Sequence, residues 1–290
     1  MKQYQLFLIM ILSCITTQAF SAVIENFQMP AWIEINGQKK AIRINMKVNE
    51  KQPITTGESG KAYITMEEGS ILKIGPKSKV NIIKLTPVKT EKSVFKSVVS
   101  IVRGAFRFTT SDKAKKRQRD IRFKVRTITA GIRGTDIWGK STPERDFVCL
   151  LEGNITVQHE NETEQTMAKP LTFFVANRGQ PAKKIATVPL NELKKWAKST
   201  DTQVGEGRIN KKGRYTLNLK SFNRRFYAQR WQNKLDKAGY AADIREIPIA
   251  GKIWYRLSIN FIASYRDAAF LSKKLKKQGS FNSAWIGKNQ

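Results

Sequence analysis

Short runs in which apolar and polar residues alternate fill the first half of the chain. The run at 62–66 is followed by turn residues at 67–70, and the run at 71–74 by Gly75-Pro76. Closely spaced strands without a helical period are typical of an all-β domain. The pattern predicts such a domain over residues 30–178 and leaves open whether it is a short β-solenoid or sandwich-like.

The pattern changes after residue 178. Apolar positions at helical spacing follow Pro189, from Leu190 to Ala197, and predict one short helix. Residues 199–214 are polar, contain several glycines and follow neither period. We therefore expect a linker with one short helix over residues 179–212.

From residue 213 to residue 288 the periodicity predicts strand, helix, strand, strand, helix and strand. Each half consists of one β-α unit followed by a strand, and the two halves repeat each other. Such a duplication predicts an α+β domain with the ferredoxin-like βαββαβ order. The positions that recur at constant spacing are Leu217, Leu219, Ala228, Leu235 and Gly239, matched by Leu257, Ile259, Ala268, Leu275 and Gly279.

In that topology the first and third strands adjoin at the centre of the sheet, and their side chains alternate between its faces. If Leu217 and Leu257 face the helices, Asn218, Trp254 and Arg256 face out. An indole can stack on a sugar ring, while Arg and Asn can bind carboxylates and hydroxyls. The alternative is that exposed Trp and Arg merely cover the sheet. The candidate glycan-binding residues are Asn218, Ser221, Trp254, Arg256, Trp285, Lys220 and Arg224.

Residues 1–21 have the order of a secretory signal peptide. Lys2 precedes an apolar run from Leu6 to Ile15, and small residues lead to Ser21. The run is about half as long as a membrane-spanning helix, which needs about 20 residues. We expect cleavage after Ser21 and a mature chain in the periplasm of a Gram-negative bacterium, without a transmembrane segment. The alternatives are an uncleaved anchor and a lipoprotein attached through Cys14.

The charge narrows the classes of partner. The chain has 53 Lys and Arg against 23 Asp and Glu, a net charge of +30. Outside the cytoplasm, such a protein meets cell-wall glycan, lipopolysaccharide and anionic phospholipid headgroups, and it should bind them in a salt-dependent way. A basic ferredoxin-like sheet with exposed aromatic residues would also suit RNA. The signal peptide argues against nucleic acid as the partner.

The sequence offers little for catalysis. Cys149 is the one cysteine after cleavage, in an apolar run typical of a buried thiol, and His159 is the one histidine, in a strand that we expect to be exposed. No group of residues has metal-site spacing, and no pair of carboxylates stands out for glycoside hydrolysis. The segment 134–141 matches the P-loop pattern, but bulky residues fill the loop. We expect no enzymatic activity, no metal and no cofactor.

The C-terminal region resembles a SPOR domain. Residues 215–222 and 254–257, at their spacing with the two helices, carry the resemblance, which covers about 213–288. It implies binding to peptidoglycan, with a preference for glycan strands without stem peptides, and often a place at the division septum. Such strands carry free lactyl carboxylates, an anionic target for Arg256, Lys220 and Arg224.

This chain departs from the SPOR pattern at two places. Asn218 stands where the family usually has Gln, and Asn260-Phe261 replaces its usual Gly-Pro-Phe turn. The shorter side chain of Asn218 bears on affinity more than on the class of ligand.

The N-terminal region is similar to the FecR family. The matching segments are 56–62, 69–76, 104–108, 125–136 and 151–153. The family is best known as the periplasmic part of ferric-siderophore signalling regulators, which relay through a transmembrane helix to a cytoplasmic anti-sigma segment. The sequence shows neither of these, so we expect a sensing, scaffold or partner-binding role. We interpret GIRGTD, at 131–136, as a tight structural turn.

Together these patterns predict an exported wall-binding protein. Its SPOR-like domain would bind peptidoglycan glycan strands, and its FecR-like domain would sense or bind an envelope protein. The alternative is a periplasmic signalling or regulatory component in which wall binding only localises the protein.

Overall fold

The computed structural model describes residues 22–86, 94–116, 118–277 and 281–288. The predicted signal peptide, its cleavage position and Cys14 lie outside the described residues. Within these ranges, no helix combines the length and the apolarity that crossing a bilayer requires.

The N-terminal part is almost entirely β-structure. Its described elements are β1 (Ala22–Gln28), β2 (Ala31–Ile35), β3 (Gln38–Ala41), β4 (Lys47–Val48), β5 (Ile54–Thr56), β6 (Lys61–Thr65), β7 (Ile71–Ile74), β8 (Lys79–Leu85), β9 (Phe95–Thr109), α1 (Asp112–Lys115), β10 (Arg119–Val125), β11 (Ile128–Ser141), β12 (Arg145–His159), β13 (Gln165–Met167) and β14 (Thr172–Asn177).

The remaining elements belong to the connecting segment and to the C-terminal part. They are β15 (Ala186–Thr187), α2 (Leu190–Thr200), β16 (Arg208–Asn210), β17 (Tyr215–Phe222), α3 (Arg225–Lys237), β18 (Asp243–Ile249), β19 (Lys252–Ile262), α4 (Tyr265–Lys276) and β20 (Trp285–Lys288).

Three long strands, β9, β11 and β12, pass through two layers of the N-terminal part. The first half of β9 pairs with β8 and β10, whereas its second half pairs with β7 and β11. The change occurs at Gly104, whose φ of +91° favours glycine and where a Cβ would collide with Ser78. Between the layers Phe106 stacks on Phe123, with ring centroids 5.1 Å apart. One apolar core therefore lies between the two layers.

The pairing of these strands distinguishes the two predicted architectures. Apart from the parallel pair of β9 and β10, the pairs in the described residues are antiparallel. A β-solenoid stacks its strands in parallel. The N-terminal part is thus one large, mostly antiparallel sheet folded into a sandwich-like arrangement.

The connecting segment packs against the β-structure. Helix α2 follows Pro189 and places Trp196 on Trp138, with ring centroids 4.8 Å apart and nearly parallel planes. Lys61 Nζ donates a hydrogen bond to the carbonyl oxygen of Lys198, at 3.2 Å. Strand β16, in a stretch without any apolar pattern, pairs with β1. Main-chain pairing and two tryptophans thus order this segment.

The C-terminal part has the element order strand, helix, strand, strand, helix, strand. Its strands adjoin in the order β20, β17, β19, β18, all antiparallel. The helices cover one side of this sheet, where the repeated positions Leu217, Leu257, Ala228 and Ala268 are buried. The other side carries no helix and is called the open face below.

The two helices of the C-terminal part begin in different ways. Helix α4 begins after Ser264, whose hydroxyl accepts a hydrogen bond from the Asp267 amide, as the capping-box spacing predicts. Helix α3 begins after Arg224 and has no side-chain cap. The last strand starts at Trp285, and Gly279 lies outside the described residues.

The two parts meet in an extensive interface. Strand β16 pairs with both β1 and β19, so one sheet continues from one part into the other. The buried carboxylate of Asp267 accepts the backbone N–H groups of Gly205, Gly207 and Arg208, at 2.8, 3.1 and 3.0 Å. Arg43 donates to the carboxylates of two C-terminal acids, Asp236 and Asp243, at 2.8 and 3.1 Å.

Candidate functional site

The centre of the open face is strand β19. Leu257 and Ile259 are fully buried on the helix side. Because side chains alternate along a strand, Trp254, Arg256 and Ser258 lie on the open face. This is the face on which the sequence analysis placed Trp254 and Arg256.

A β-bulge in β17 decides which of its residues join this face. Asn218 lies opposite Ser258, but Lys220 lies opposite the buried Leu257, and the register shifts between them. Directly paired residues share a face, so the bulge brings Ser221 to the open face and Lys220 to the helix side. The Arg256 Nε atom donates to Ser221 Oγ at 3.2 Å. Strict alternation would have predicted the reverse.

Trp285 completes the face from the neighbouring strand β20. It lies opposite Asn218 and remains 44% exposed. The Arg256 guanidinium carbon is 4.9 Å from the centroid of the Trp285 ring, a cation–π contact. This contact leaves part of the indole open to solvent, next to a fixed positive charge.

Asn218 is a buried amide in the floor of the face. It is 6% exposed, and its Oδ1 atom has no hydrogen-bond partner among the described residues. An unpaired buried acceptor is unfavourable by about 1–3 kcal/mol. A ligand hydroxyl reaching the floor would satisfy it.

Strand β18 adds residues that the sequence analysis did not select. Arg245 pairs directly with Arg256, and Ile247 pairs with Trp254. Like charges on directly opposed residues of a sheet destabilise it. Neither guanidinium forms an ion pair with a carboxylate of the described chain. The period-two pattern of β18 could have revealed Arg245, but only once its register with β19 was known.

Both carboxylates of β18 are already bound: Glu246, which borders the groove, by Arg225 at 3.3 Å, and Asp243 by two other residues. Asp243 accepts hydrogen bonds from Arg43 at 3.1 Å and from the Asn260 amide at 3.2 Å. Asn260 Oδ1 in turn accepts from the Thr216 hydroxyl at 3.1 Å. Asn260, one of the two departures from the SPOR pattern, thus forms hydrogen bonds within the fold. Because Asp243 is already bound, the open face keeps a net positive charge.

A groove of about 680 Å³ runs over this face. Trp254 lies beyond it, towards the turn between β18 and β19. Lys220 lies on the other side of the sheet, with its Nζ 5.6 Å from the Phe222 ring, and Arg224 is at the start of α3. Of the predicted site residues, Asn218 and Arg256 line the groove, whereas Ser221 and Trp285 lie beside it. The other lining residues include Thr216, Arg245, Ser258, Asn260 and Lys288.

The groups considered for catalysis do not form a site. Cys149 is buried, and burial raises the pKa of its thiol to about 12. His159 is also buried, not exposed as predicted, and its ring nitrogen forms a hydrogen bond with Glu162 at 2.9 Å. No group of three or more metal-ligating side chains occurs in the part of the chain that the structure describes.

The GIRGTD segment lies within β11 and is not a turn. The strand bulges between Arg133 and Asp136, with Gly134 at a φ of +74°. Asp136 receives two hydrogen bonds from Arg107, at 3.0 and 2.6 Å. Because this pair satisfies the carboxylate internally, the segment has a structural role in the sheet.

Comparison with known proteins agrees with both resemblances. The FecR protein family model matches residues 52–156, and the SPOR domain model matches residues 211–286. None of the curated proteins matches the chain. Two crystal structures of a candidate anti-sigma factor from Parabacteroides distasonis are similar at 11% and 10% identity, each with a TM-score of 0.40, over 70% and 82% of this chain and 98% of theirs. The chain therefore carries a FecR match followed by a SPOR match, as the sequence analysis predicted.

Proposed function

We propose that the open face binds the glycan strands of peptidoglycan. The observation that carries this proposal is the direct pairing of Arg245 with Arg256, two guanidiniums without a carboxylate partner in the described chain. Their repulsion is relieved when an anion lies between them. The SPOR match makes a muramic acid carboxylate the most suitable anion.

Each residue of the face has a distinct role in this proposal. Trp254 and Trp285 offer indole surfaces for sugar rings, and Arg256 and Arg245 bind the carboxylate. Asn218 and Ser221 receive hydroxyl groups from the floor of the face. Lys220 and Arg224, which lie off this face, contribute at most long-range attraction.

The preference for strands without stem peptides follows from the charge of the face. Removal of the peptide frees a lactyl carboxylate on each muramic acid, and two adjacent guanidiniums favour that form. Such strands are expected at division septa. This proposal places the mature chain in the periplasm after signal-peptide cleavage.

We also infer that the C-terminal part is a ferredoxin-like module, since its strand order and helix positions match that topology. The FecR-like part acts as a sensing or partner-binding module, and neither part acts as an enzyme. The second candidate function is a signalling component that the wall-binding module only localises.

A pelleting assay with purified sacculi tests the glycan proposal. The chain of residues 22–290 is used, because the two parts share an interface. Wild type should bind more strongly to amidase-treated sacculi than to intact sacculi. Arg245→Ala and Arg256→Ala should each lower binding at least about tenfold, as expected for a lost charged hydrogen bond.

Lys220→Ala is the matched control, because it removes one cation from the same strand region on the other side of the sheet. If Lys220→Ala weakens binding as much as Arg256→Ala does, the open face is not the site. To separate the two functions in cells, the Arg245→Ala/Arg256→Ala variant is compared with wild type for localisation and for signalling output. Lost localisation with full output would count against the localised-signalling alternative.

A further inference from the structure

Exposed apolar side chains lie at one end of the C-terminal part, next to the end of the groove that Glu246 and Pro248 line. Strand β17 ends here, α3 begins here, and the turn Ala250-Gly251 joins β18 to β19 here. We call this region the hairpin end. Its most exposed apolar residues are Phe226 (69%), Tyr227 (45%), Ile249 (43%) and Ile253 (54%).

The strand pairings place Ile253 on the helix side of the sheet, whereas Ile249 and its partner Lys252 continue the open face at the turn. Ile253 alternates with Trp254 and so shares a side with Tyr255, which pairs with Phe222. Arg225 reaches Glu246 of β18 at 3.3 Å and ties the first turn of α3 to the hairpin. The rings of Phe226 and Tyr227 meet edge to face, 5.6 Å apart.

Cations surround this apolar surface. Lys220, Arg224, Arg225 and Lys252 are exposed at the hairpin end, against Glu246, which Arg225 already binds. The bulge in β17 is what moves Lys220 here from the open face. Exposed aromatic and aliphatic side chains inside a ring of Lys and Arg are the combination that interfacial membrane-binding surfaces use.

We propose that the hairpin end binds the surface of a bilayer rich in anionic phospholipid. Phe226 and Ile253 enter the headgroup region, while Lys220, Arg224 and Lys252 meet the phosphates. Charge complementarity selects this partner, and an apolar surface of this kind is not needed for a hydrated anionic polysaccharide. The protein would then hold glycan on one face and membrane at one end. The proposal is independent of the glycan proposal.

Vesicle co-sedimentation of residues 22–290 tests the proposal. Vesicles of phosphatidylglycerol with phosphatidylethanolamine are compared with vesicles of phosphatidylcholine. Wild type should bind the anionic vesicles, more weakly as salt rises. Phe226→Ser/Ile253→Ser should lose at least about tenfold in binding, and Lys220→Gln/Arg224→Gln a similar amount. Circular dichroism confirms that each variant is folded.

Two controls separate this surface from other causes. Lys113→Gln/Lys116→Gln makes the same charge change in the N-terminal part and should leave vesicle binding within about twofold. Arg245→Ala/Arg256→Ala should leave vesicle binding intact while sacculus binding falls. Equal loss in the Lys113/Lys116 control, or full vesicle binding by Phe226→Ser/Ile253→Ser, overturns the proposal and leaves only general attraction between a basic chain and a negative surface.

Discussion

Two sets of charged residues in this protein differ in whether the fold satisfies them: two buried ion pairs of the N-terminal part, and the guanidiniums of the open face. In the N-terminal part, Asp146 is fully buried and binds Arg178 and Thr127, and Asp136 binds Arg107 through both carboxylate oxygens. On the open face, Arg245 and Arg256 lie opposite each other without a carboxylate partner in the described chain. The charges of the buried ion pairs are compensated by partners within the fold. The two guanidiniums of the open face lack such partners, as expected of groups that bind a ligand. The comparison predicts which substitutions lower stability and which raise it.

The largest loss of stability is expected at Asp146. Asp146→Asn removes the charge that compensates the Arg178 guanidinium and should lower the free energy of unfolding by about 3–5 kcal/mol. Chemical denaturation of residues 22–290 measures the change. Asp112→Asn, at a side chain that is 95% exposed, is the control and should stay within about 0.5 kcal/mol. A small effect at Asp146 would mean that this buried ion pair does not stabilise the N-terminal part, which contradicts the comparison.

Lowering the pH should remove the contribution that the Asp146 carboxylate makes to stability. Burial raises the pKa of Asp146, but hydrogen bonds from Arg178 and Thr127 outweigh burial and hold that pKa below its ordinary value. Its contribution is therefore complete above the ordinary carboxyl pKa and is lost as pH falls through the lowered value. The stability difference between wild type and Asp146→Asn should shrink over that range. A constant difference down to the acid limit would contradict this assignment.

The next largest loss of stability is expected at Asp267, in the interface between the two parts. Asp267→Asn weakens three charge-assisted hydrogen bonds from the backbone at 205–208 and should lower the free energy of unfolding by about 2–3 kcal/mol. Limited proteolysis should then cut faster near residue 205. Ser264→Ala is the comparison variant, because it removes the helix cap, at about 1 kcal/mol, and one hydrogen bond to Asp267, but keeps the carboxylate that the backbone at 205–208 binds. Equal proteolysis in both variants would assign the effect to α4 alone.

Substitutions on the open face should raise the free energy of unfolding instead of lowering it. Asn218→Leu removes a buried acceptor that lacks a partner in the described chain, so the free energy of unfolding should rise by about 1 kcal/mol. Sacculus binding should fall at the same time. Denaturation and pelleting on one preparation check both. A destabilised Asn218→Leu would mean that the amide serves the fold and not a ligand.

The smallest effect is expected at Arg245. Arg245→Ser removes the repulsion with Arg256 and should raise the free energy of unfolding by about 0.2–1 kcal/mol at low salt, and by less at high salt. Thermal unfolding at two salt concentrations measures it. If stability falls instead, repulsion between the two guanidiniums does not destabilise the sheet.

The sequence by itself determined the local elements and their order. Alternation in the N-terminal half, and the duplicated spacing of Leu217 and Ala228 with Leu257 and Ala268, depend on residues close in sequence, so periodicity reveals them. Both family resemblances, confirmed by the matching models, also rest on short local motifs. Trp254 and Arg256 could be assigned to one face because β19 alternates without interruption there.

Only the tertiary structure decided what depends on register and on distant partners. The bulge in β17 exchanges Ser221 for Lys220 on the open face, and a one-residue shift of this kind leaves no mark on the apolar pattern. The partners of Arg43 and Asp267 in the interface are distant in sequence, so these contacts could not be predicted from the chain alone. Arg245 could be recognised as a site residue only after the pairing of β18 with β19 placed it opposite Arg256, because the sequence alone does not give the register between strands.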